Sequence, residues 1–162
     1  MRLILMRHAK SDWSMIGDDH DRTLNARGRK SARALGDWMR DNDYLPDQVL
    51  CSSAARTRET LALTGVEAAT NFEDALYHAA PDTMLTSLRA ARGDCVLMVG
   101  HNPGIAFFAA ALVKSAPDHP RFQDYPTCAT LVADFDITNW ADLTPGTGNA
   151  RDFVIPRELI GS

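Results

Sequence analysis

Arginine and histidine side chains stand just after three short apolar runs of the sequence, which span residues 3–6, 48–51 and 95–99. These side chains belong to Arg7, His8, Arg56 and His101. The planar guanidinium group of arginine matches the oxygen atoms of a phosphate, and an uncharged imidazole nitrogen can act as a nucleophile. Neighbouring arginines stabilise charge on the oxygen atoms while a phosphoryl group is transferred. The residue types therefore indicate phosphoryl chemistry, provided that the fold brings them together.

The elements around these residues predict that they meet. The three apolar runs resemble strands buried on both faces, and helical segments are expected at residues 26–40, 53–64, 81–91 and 105–113. Strand alternating with helix predicts a three-layer α/β fold, with a mainly parallel sheet and helices on both faces. Because the carboxyl ends of parallel strands share one edge of the sheet, the two histidines and two arginines are expected to converge there.

Capping residues predict where some helices begin and end. Asn25 is expected to cap the first helix, and Ser52 or Ser53 the second. Gly65 is expected to stop the second helix, because glycine readily adopts the left-handed conformation found there. Pro103 suits the first turn of the helix that follows the third apolar run.

The second half of the chain adds strands without clear helices between them. Residues 127–135 and 151–155 are strand-like and are expected to form an antiparallel edge of the sheet. Residues 71–77 are ambiguous and could form a brief strand. With 162 residues, the chain is expected to be one domain over residues 1–162. The region after Pro103 carries no functional signal.

Composition limits the classes of protein. Hydrophobic residues make up 45% and charged residues 23% of the chain, which is typical of a globular protein. The net charge of −4 disfavours a general nucleic-acid binder. No apolar run approaches the ~18 residues of a membrane span, and Arg7 interrupts the first run too early for a signal peptide. We therefore expect a cytoplasmic protein without nucleic-acid or membrane partners.

Several other groups are expected to have structural roles. Cys51 and Cys95 adjoin strand-like runs, where a cysteine is usually a small core residue, and with Cys128 they form no metal or disulfide spacing. The DDHD sequence at residues 18–21 is expected to be an acidic loop and not a metal site. A solvated helix face is expected to hold Arg22, Arg27, Arg29 and Lys30.

Four motifs together resemble the histidine phosphatase superfamily, also called phosphoglycerate-mutase-like. They are LILMRHAKS at residues 3–11, RTLNARG at 22–28, SSAARTRET at 52–60 and GHNP at 100–103. They occur in the order expected for the family, each in a matching strand or helix context. The short chain is most similar to the SixA group of phosphohistidine phosphatases. Many members have glycine after the catalytic histidine, where this chain has Ala9.

The resemblance implies specific roles. His8 would accept the phosphoryl group, while Arg7, Arg56 and His101 would hold the phosphate. Further binding of substrate is expected from Lys10, Ser11 and Asn102. Members that act on phosphate esters place an acid near the third strand, for which Glu73 and Asp74 are the candidates. The loops at residues 11–23 and 66–81 are short, which suggests an open site suited to a phosphate displayed on a protein.

The expected function is a phosphatase that needs no metal or cofactor and forms a phosphohistidine intermediate on His8. Its expected substrate is a phosphohistidine protein. One alternative is a small phosphate monoester handled by the same chemistry. A second is a module that binds phosphorylated partners without turnover, although binding alone would not need a nucleophile. A third is a metallohydrolase, which is disfavoured because the arginines would repel the cation. The sequence leaves the oligomeric state open.

Overall fold

Six strands form one sheet in the computed structural model, which describes residues 1–14 and 16–161. The strands are β1 Arg2–Arg7, β2 Gln48–Ser52, β3 Ala69–Glu73, β4 Cys95–Gly100, β5 Thr130–Asp134 and β6 Asn149–Val154. Their order across the sheet is β3-β2-β4-β1-β5-β6. The first four positions pair in parallel, whereas β5 and β6 are antiparallel to their neighbours. The predicted parallel sheet with an antiparallel edge is thus confirmed.

Helices cover both faces of this sheet. They are α1 Ala26–Asp41, α2 Ala55–Thr64, α3 Pro81–Arg89, α4 Gly104–Leu112 and α5 Pro156–Ile160. Helix α1 packs against α2 and α5, and α3 packs against α4. Short 3₁₀ turns lie at Asp19–Asp21, Asp74–Leu76 and Trp140–Asp142. No helix in the described part of the chain combines the length and apolar character that spanning a bilayer requires.

The central strands are apolar on both faces because each face meets its own helices. Along β1, Leu3 and Leu5 pack into a core with residues of α3 and α4. The alternate residues Ile4 and Met6 pack into a second core with residues of α1 and α2. This period of two explains why the run at residues 3–6 is continuously apolar. It also fixes the strand register, and with it the edge at which β1 ends.

Most of the expected helix ends are confirmed, but one cap is wrong. The Asn25 side chain accepts a hydrogen bond from the Gly28 N–H, and Gly65 is left-handed with φ 75°. Ala54 is the residue that precedes α2, with no side-chain cap. Ser52 cannot serve as the cap because it still belongs to β2. Its hydroxyl group instead contacts a histidine of the site described below.

Candidate active site

The carboxyl end of β1 places Arg7 and His8 at the centre of the sheet edge. The His8 N–H donates to the Gly100 carbonyl at 3.0 Å, and the His8 carbonyl accepts from Cys128 at 2.9 Å. His8 is therefore anchored on both sides by its backbone. Its side chain is only 7% exposed, yet it lines a cavity that opens to solvent.

The hydrogen bonding of His8 fixes which ring nitrogen is free. Nδ1 lies 2.7 Å from the Ala9 carbonyl, which can only accept, so Nδ1 carries the proton. Nε2 has no hydrogen-bond partner among the described residues and therefore keeps an available lone pair. Burial is the main cause that lowers the pKa of His8 to about 3, and the nearby guanidinium groups of Arg7 and Arg56 act in the same direction. His8 is thus a neutral imidazole at physiological pH.

Arg56 enters the site from the first turn of α2, where the helix N-terminus adds its own positive potential. Its side chain is 3% exposed. One guanidinium nitrogen donates to the backbone carbonyl of Asp19 at 2.8 Å, and the other to the Asp19 carboxylate at 3.0 Å. Burial lowers the pKa of this guanidinium, and it remains a cation at neutral pH.

His101, at the carboxyl end of β4, is fully engaged by its neighbours. Nδ1 lies 3.3 Å from a guanidinium nitrogen of Arg56, which can only donate, so Nδ1 accepts. Nε2 then carries the proton and donates to the Ser52 hydroxyl at 2.7 Å. Burial, followed by the neighbouring His8 ring, lowers the pKa of His101 to about 2. His101 is therefore neutral, and it positions Arg56 in this arrangement.

The loop between β1 and α1 delivers a carboxylate to the same place. Asp19 forms ion pairs with Arg22 and Arg56, its carboxylate lies 3.0 Å from Nε2 of His78, and it accepts a hydrogen bond from the Tyr77 hydroxyl. The sequence predicted an acidic loop at residues 18–21, and Asp19 does lie in this loop with its side chain 40% exposed, but its ion pairs with Arg22 and Arg56 were not predicted. The cationic groups around it attract an anion from the protein itself.

Arg22 contradicts its predicted place on a solvated helix face. It precedes α1, because that helix begins at Ala26, and only 12% of its side chain is exposed. Its guanidinium group stacks over the Trp13 ring, with 3.4 Å between the guanidinium carbon and the ring centre. Arg22 consequently adds a further cation to the site. By contrast, Arg29 does lie on α1, where it pairs with Glu59 at 2.8 Å.

These groups enclose a cavity of about 340 Å³. Its lining consists of Arg7, His8, Lys10, Ser11, Trp13, Asp19, Arg22, Arg56, His78, His101, Asn102 and Thr127. In the described part of the chain, three buried polar atoms have no partner, and all three belong to lining residues: Nε of Arg7, Nε of Arg22 and Oδ1 of Asn102. The two Nε atoms are donors, and unsatisfied buried donors are costly to a folded protein, which indicates that a ligand with acceptor oxygens completes the site.

The structure brings seven of the nine site residues predicted from the sequence to this cavity. They are Arg7, His8, Lys10, Ser11, Arg56, His101 and Asn102. The other two, Glu73 and Asp74, do not line it. The Glu73 carboxylate accepts from the Ser87 hydroxyl of α3 at 2.9 Å, and Asp74 is exposed at the start of a 3₁₀ turn.

Sequence reasoning missed Tyr77 and His78, which lie beyond that 3₁₀ turn. The centre of the His78 ring lies 5.0 Å from that of the His101 ring, and the two rings are tilted. The centre of the Tyr77 ring lies 5.8 Å from the Arg56 guanidinium carbon. Burial, together with Arg56 and Arg22, lowers the pKa of His78. The family resemblance pointed to Glu73 and Asp74 in this segment, but no sequence pattern pointed to the two residues beyond the turn. In residues 1–14 and 16–161, no group of three or more potential ligands is placed to hold a metal ion.

Comparison with known proteins agrees with the geometry of the site. The histidine phosphatase superfamily (branch 1) matches residues 3–77. The structure of a protein from Nakamurella multipartitia, provisionally assigned as the phosphohistidine phosphatase SixA, has 33% sequence identity and a TM-score of 0.83, with 96% of this chain and 95% of that chain covered. An uncharacterized protein of Mycobacterium tuberculosis is 38% identical over 160 residues, which cover 94% of this chain and all of the relative.

A fold comparison at lower identity points the same way. The protein histidine phosphatase SixA in complex with tungstate shares the fold, with a TM-score of 0.79 at 20% identity and coverage of 98% of this chain and 99% of that one. The chain belongs to the histidine phosphatase superfamily. It is a phosphatase enzyme, and the SixA proteins are among its structural relatives.

Proposed function

We propose that this phosphatase hydrolyses phosphohistidine on proteins, without a metal ion, through a phosphohistidine intermediate on His8. The observation that carries the proposal is the neutral His8 ring, with Nδ1 bound to the Ala9 carbonyl and Nε2 unpartnered. A nucleophile needs such a lone pair at neutral pH. The pKa of about 3 keeps it available throughout the physiological range.

In the first step, Nε2 of His8 attacks phosphorus and forms a P–N bond, while the bond from phosphorus to the leaving nitrogen breaks. The leaving nitrogen takes the electron pair, and the ring departs as neutral imidazole because its other ring nitrogen is protonated before departure. Arg7, Arg22 and Arg56 stabilise the negative charge on the phosphoryl oxygens. His101 holds Arg56 in position through the contact at 3.3 Å.

In the second step, a water molecule attacks the phosphorus of phospho-His8. The P–N bond breaks, and its electron pair returns to Nε2 of the neutral ring. The water loses its protons to solvent or to the phosphate, which then leaves the cavity. The guanidinium groups supply positive charge in both steps, so the proposed mechanism uses no metal ion.

The surroundings of His8 support this substrate class. A phosphoramidate nitrogen can be protonated before it leaves, so its departure does not require a positioned acid, whereas an alkoxide leaving group does. Asp19 is the one carboxylate that lines the cavity in the described part of the chain. Its ion pairs with Arg22 and Arg56 hold it as an anion rather than as a proton donor. The assignment of the Nakamurella multipartitia relative also supports this substrate class.

A small phosphate monoester is the second candidate substrate, and one observation favours it. The Tyr77 hydroxyl donates to Asp19, which lines the cavity. If Asp19 moved away, this hydroxyl would be free to donate to an ester oxygen. The two candidates are separated by comparing kcat/KM for a phosphohistidine protein with values for a panel of small esters. Higher kcat/KM for the phosphohistidine protein than for every ester supports the first substrate class, and the reverse order supports the second.

A further inference from the structure

A second cavity, of about 170 Å³, adjoins the cavity at His8. Four of the side chains that line it are cationic: Lys10, Arg27, Arg121 and Arg157. Lys10 and Thr127 line both cavities, so the two lie side by side. None of the residues that line the second cavity is acidic. We call this second cavity the basic cleft.

Contacts with α1 fix the position of the Lys10 segment beside the basic cleft. The Lys10 carbonyl accepts a hydrogen bond from the Asn25 N–H at 3.0 Å, where α1 begins. Gly28 lets the helix approach, since a Cβ atom there would lie 2.1 Å from the Lys10 oxygen. Helix α5, which packs against α1, brings Arg157 to the same place. The segment that follows His8 is therefore fixed relative to both helices.

Most of the charge in the basic cleft is not neutralised by the protein. Arg121 is paired with Asp124, at 2.8 Å. Arg27 donates to the Gly161 carbonyl at 2.7 Å and has no carboxylate partner in residues 1–14 and 16–161. Lys10 and Arg157 have no side-chain hydrogen bond or ion pair within the same residues. Among the described residues, three cations thus face the cleft without a carboxylate partner.

This local charge contrasts with the acidic chain as a whole. The chain has 17 lysines and arginines and a net charge of −4. Seven of those 17 line one or both cavities, where Asp19 is the one carboxylate in the lining. A cationic region of this kind in an acidic protein attracts anionic partners and orients them on approach.

We propose that the basic cleft binds acidic side chains that flank the phosphorylated histidine of a protein substrate. The proposal rests on the proposed function, because it assigns the cleft to the same substrate. The unpartnered buried donors belong to the cavity at His8 and none to the cleft. The cleft therefore lacks the desolvated donors of a dedicated phosphate site, and it suits carboxylates on a flexible segment.

The test uses two phosphohistidine peptides that differ only in their flanking residues, which are glutamate in one and glutamine in the other. Their kcat/KM values are compared for the wild-type protein and for the double variant Arg27→Gln with Arg157→Gln. Arg33→Gln is the matched control, since Arg33 is exposed on α1 and lines neither cavity. Each protein is measured at low salt and at about 0.5 M salt, which screens exposed charges.

The wild-type protein is expected to prefer the glutamate peptide about three- to tenfold at low salt, the scale of a few exposed ion pairs. The preference is expected to disappear in the double variant and at high salt, through KM rather than kcat, and to persist in Arg33→Gln. A wild-type protein without preference, or a preference that survives in the double variant, overturns the proposal.

Failure of the proposed function gives a different result. If neither peptide is hydrolysed, the same peptides are tested as inhibitors of ester hydrolysis. Stronger inhibition by the glutamate peptide then supports the basic cleft, although phosphohistidine is not the substrate. Equal inhibition overturns the proposal, and so does tighter binding of a small bisphosphate than of either peptide, which would assign the cleft to a second phosphate group.

Discussion

The Asp19 carboxylate lies 3.0 Å from a guanidinium nitrogen of Arg56, so an anion of the protein occupies the cationic centre of the cavity. Asp19 belongs to the loop between β1 and α1, whereas Arg56 belongs to α2. A phosphoryl group that bound to Arg56 would compete with this carboxylate for the same guanidinium donors. We therefore expect Asp19 to move when such a group binds.

Asp19→Asn is expected to bind inorganic phosphate more tightly, because it removes the competing negative charge. The inhibition constant for phosphate should fall about tenfold, since a hydrogen bond to a charged group contributes roughly 1.5 kcal/mol or more. Asp18→Asn is the control, because Asp18 is the exposed neighbour and does not contact Arg56. An unchanged or weaker affinity for phosphate in Asp19→Asn would show that the carboxylate does not compete.

Arg22→Ala and Arg56→Ala are each expected to lower kcat by roughly 10²-fold, as when one preorganised transition-state donor is lost. Arg33→Ala is expected to change kcat little, because its side chain is exposed and remote from the cavity lining. Steady-state kinetics on one substrate compares the three variants. Equal effects in all three would place the site elsewhere.

The neutral state of His8 predicts how stability depends on pH. Its pKa is about 3 in the folded protein and near 6.5 in the unfolded chain, so the unfolded state binds the proton first as the pH falls. The stabilisation is complete above the unfolded value and is lost as the pH falls from about 6.5 toward 3. Between pH 7.5 and 5.5, His8 alone is expected to lower the free energy of unfolding by about 1.4 kcal/mol.

Urea unfolding of the wild-type protein and of His8→Asn at both pH values measures this contribution. Asparagine can keep the hydrogen bond that Nδ1 donates to the Ala9 carbonyl, while it removes the titrating ring. The wild-type protein should lose more stability on acidification than the variant does. Parallel losses in the two proteins would mean that His8 titrates alike in the folded and unfolded states.

Glu73→Gln and Asp74→Asn are expected to leave the ratio of ester to phosphohistidine hydrolysis unchanged. Neither carboxylate lines the cavity, and that of Glu73 is held by Ser87 at 2.9 Å. A positioned acid contributes about 10²–10⁴-fold to departure of an alkoxide, so its loss would be obvious. A selective fall in ester hydrolysis in either variant would identify that residue as the acid after all.

The contrast between His8 and His78 shows what the sequence could predict. His8 and His101 directly follow strands, so an apolar run and the rule for carboxyl ends of parallel strands suffice to bring them together. His78 follows a 3₁₀ turn and has a left-handed backbone, with φ 51°. No periodic pattern specifies that geometry. Glu73 and Asp74 were instead predicted from the family resemblance, which places an acid near the third strand; Glu73 ends β3 and Asp74 follows it.

Asp19 and Arg22 illustrate a second limit, which is the path of a long loop. Both lie in the connection between β1 and α1, where neither strand nor helix periodicity fixes the direction of a side chain. Their positions depend on charge: the guanidinium groups of Arg22 and Arg56 hold the Asp19 carboxylate at the cavity. The local sequence shows only an acidic loop followed by basic residues, and therefore does not predict that Asp19 pairs with Arg22 and Arg56.

The most direct test determines which residue receives the phosphoryl group from the substrate. The protein is mixed with ³²P-labelled phosphohistidine substrate, quenched during turnover, and analysed for label on the chain. We expect acid-labile label on His8 in the wild-type protein, and neither label nor turnover in a folded His8→Asn variant. Near-normal turnover by His8→Asn, or label that survives acid, would contradict the account.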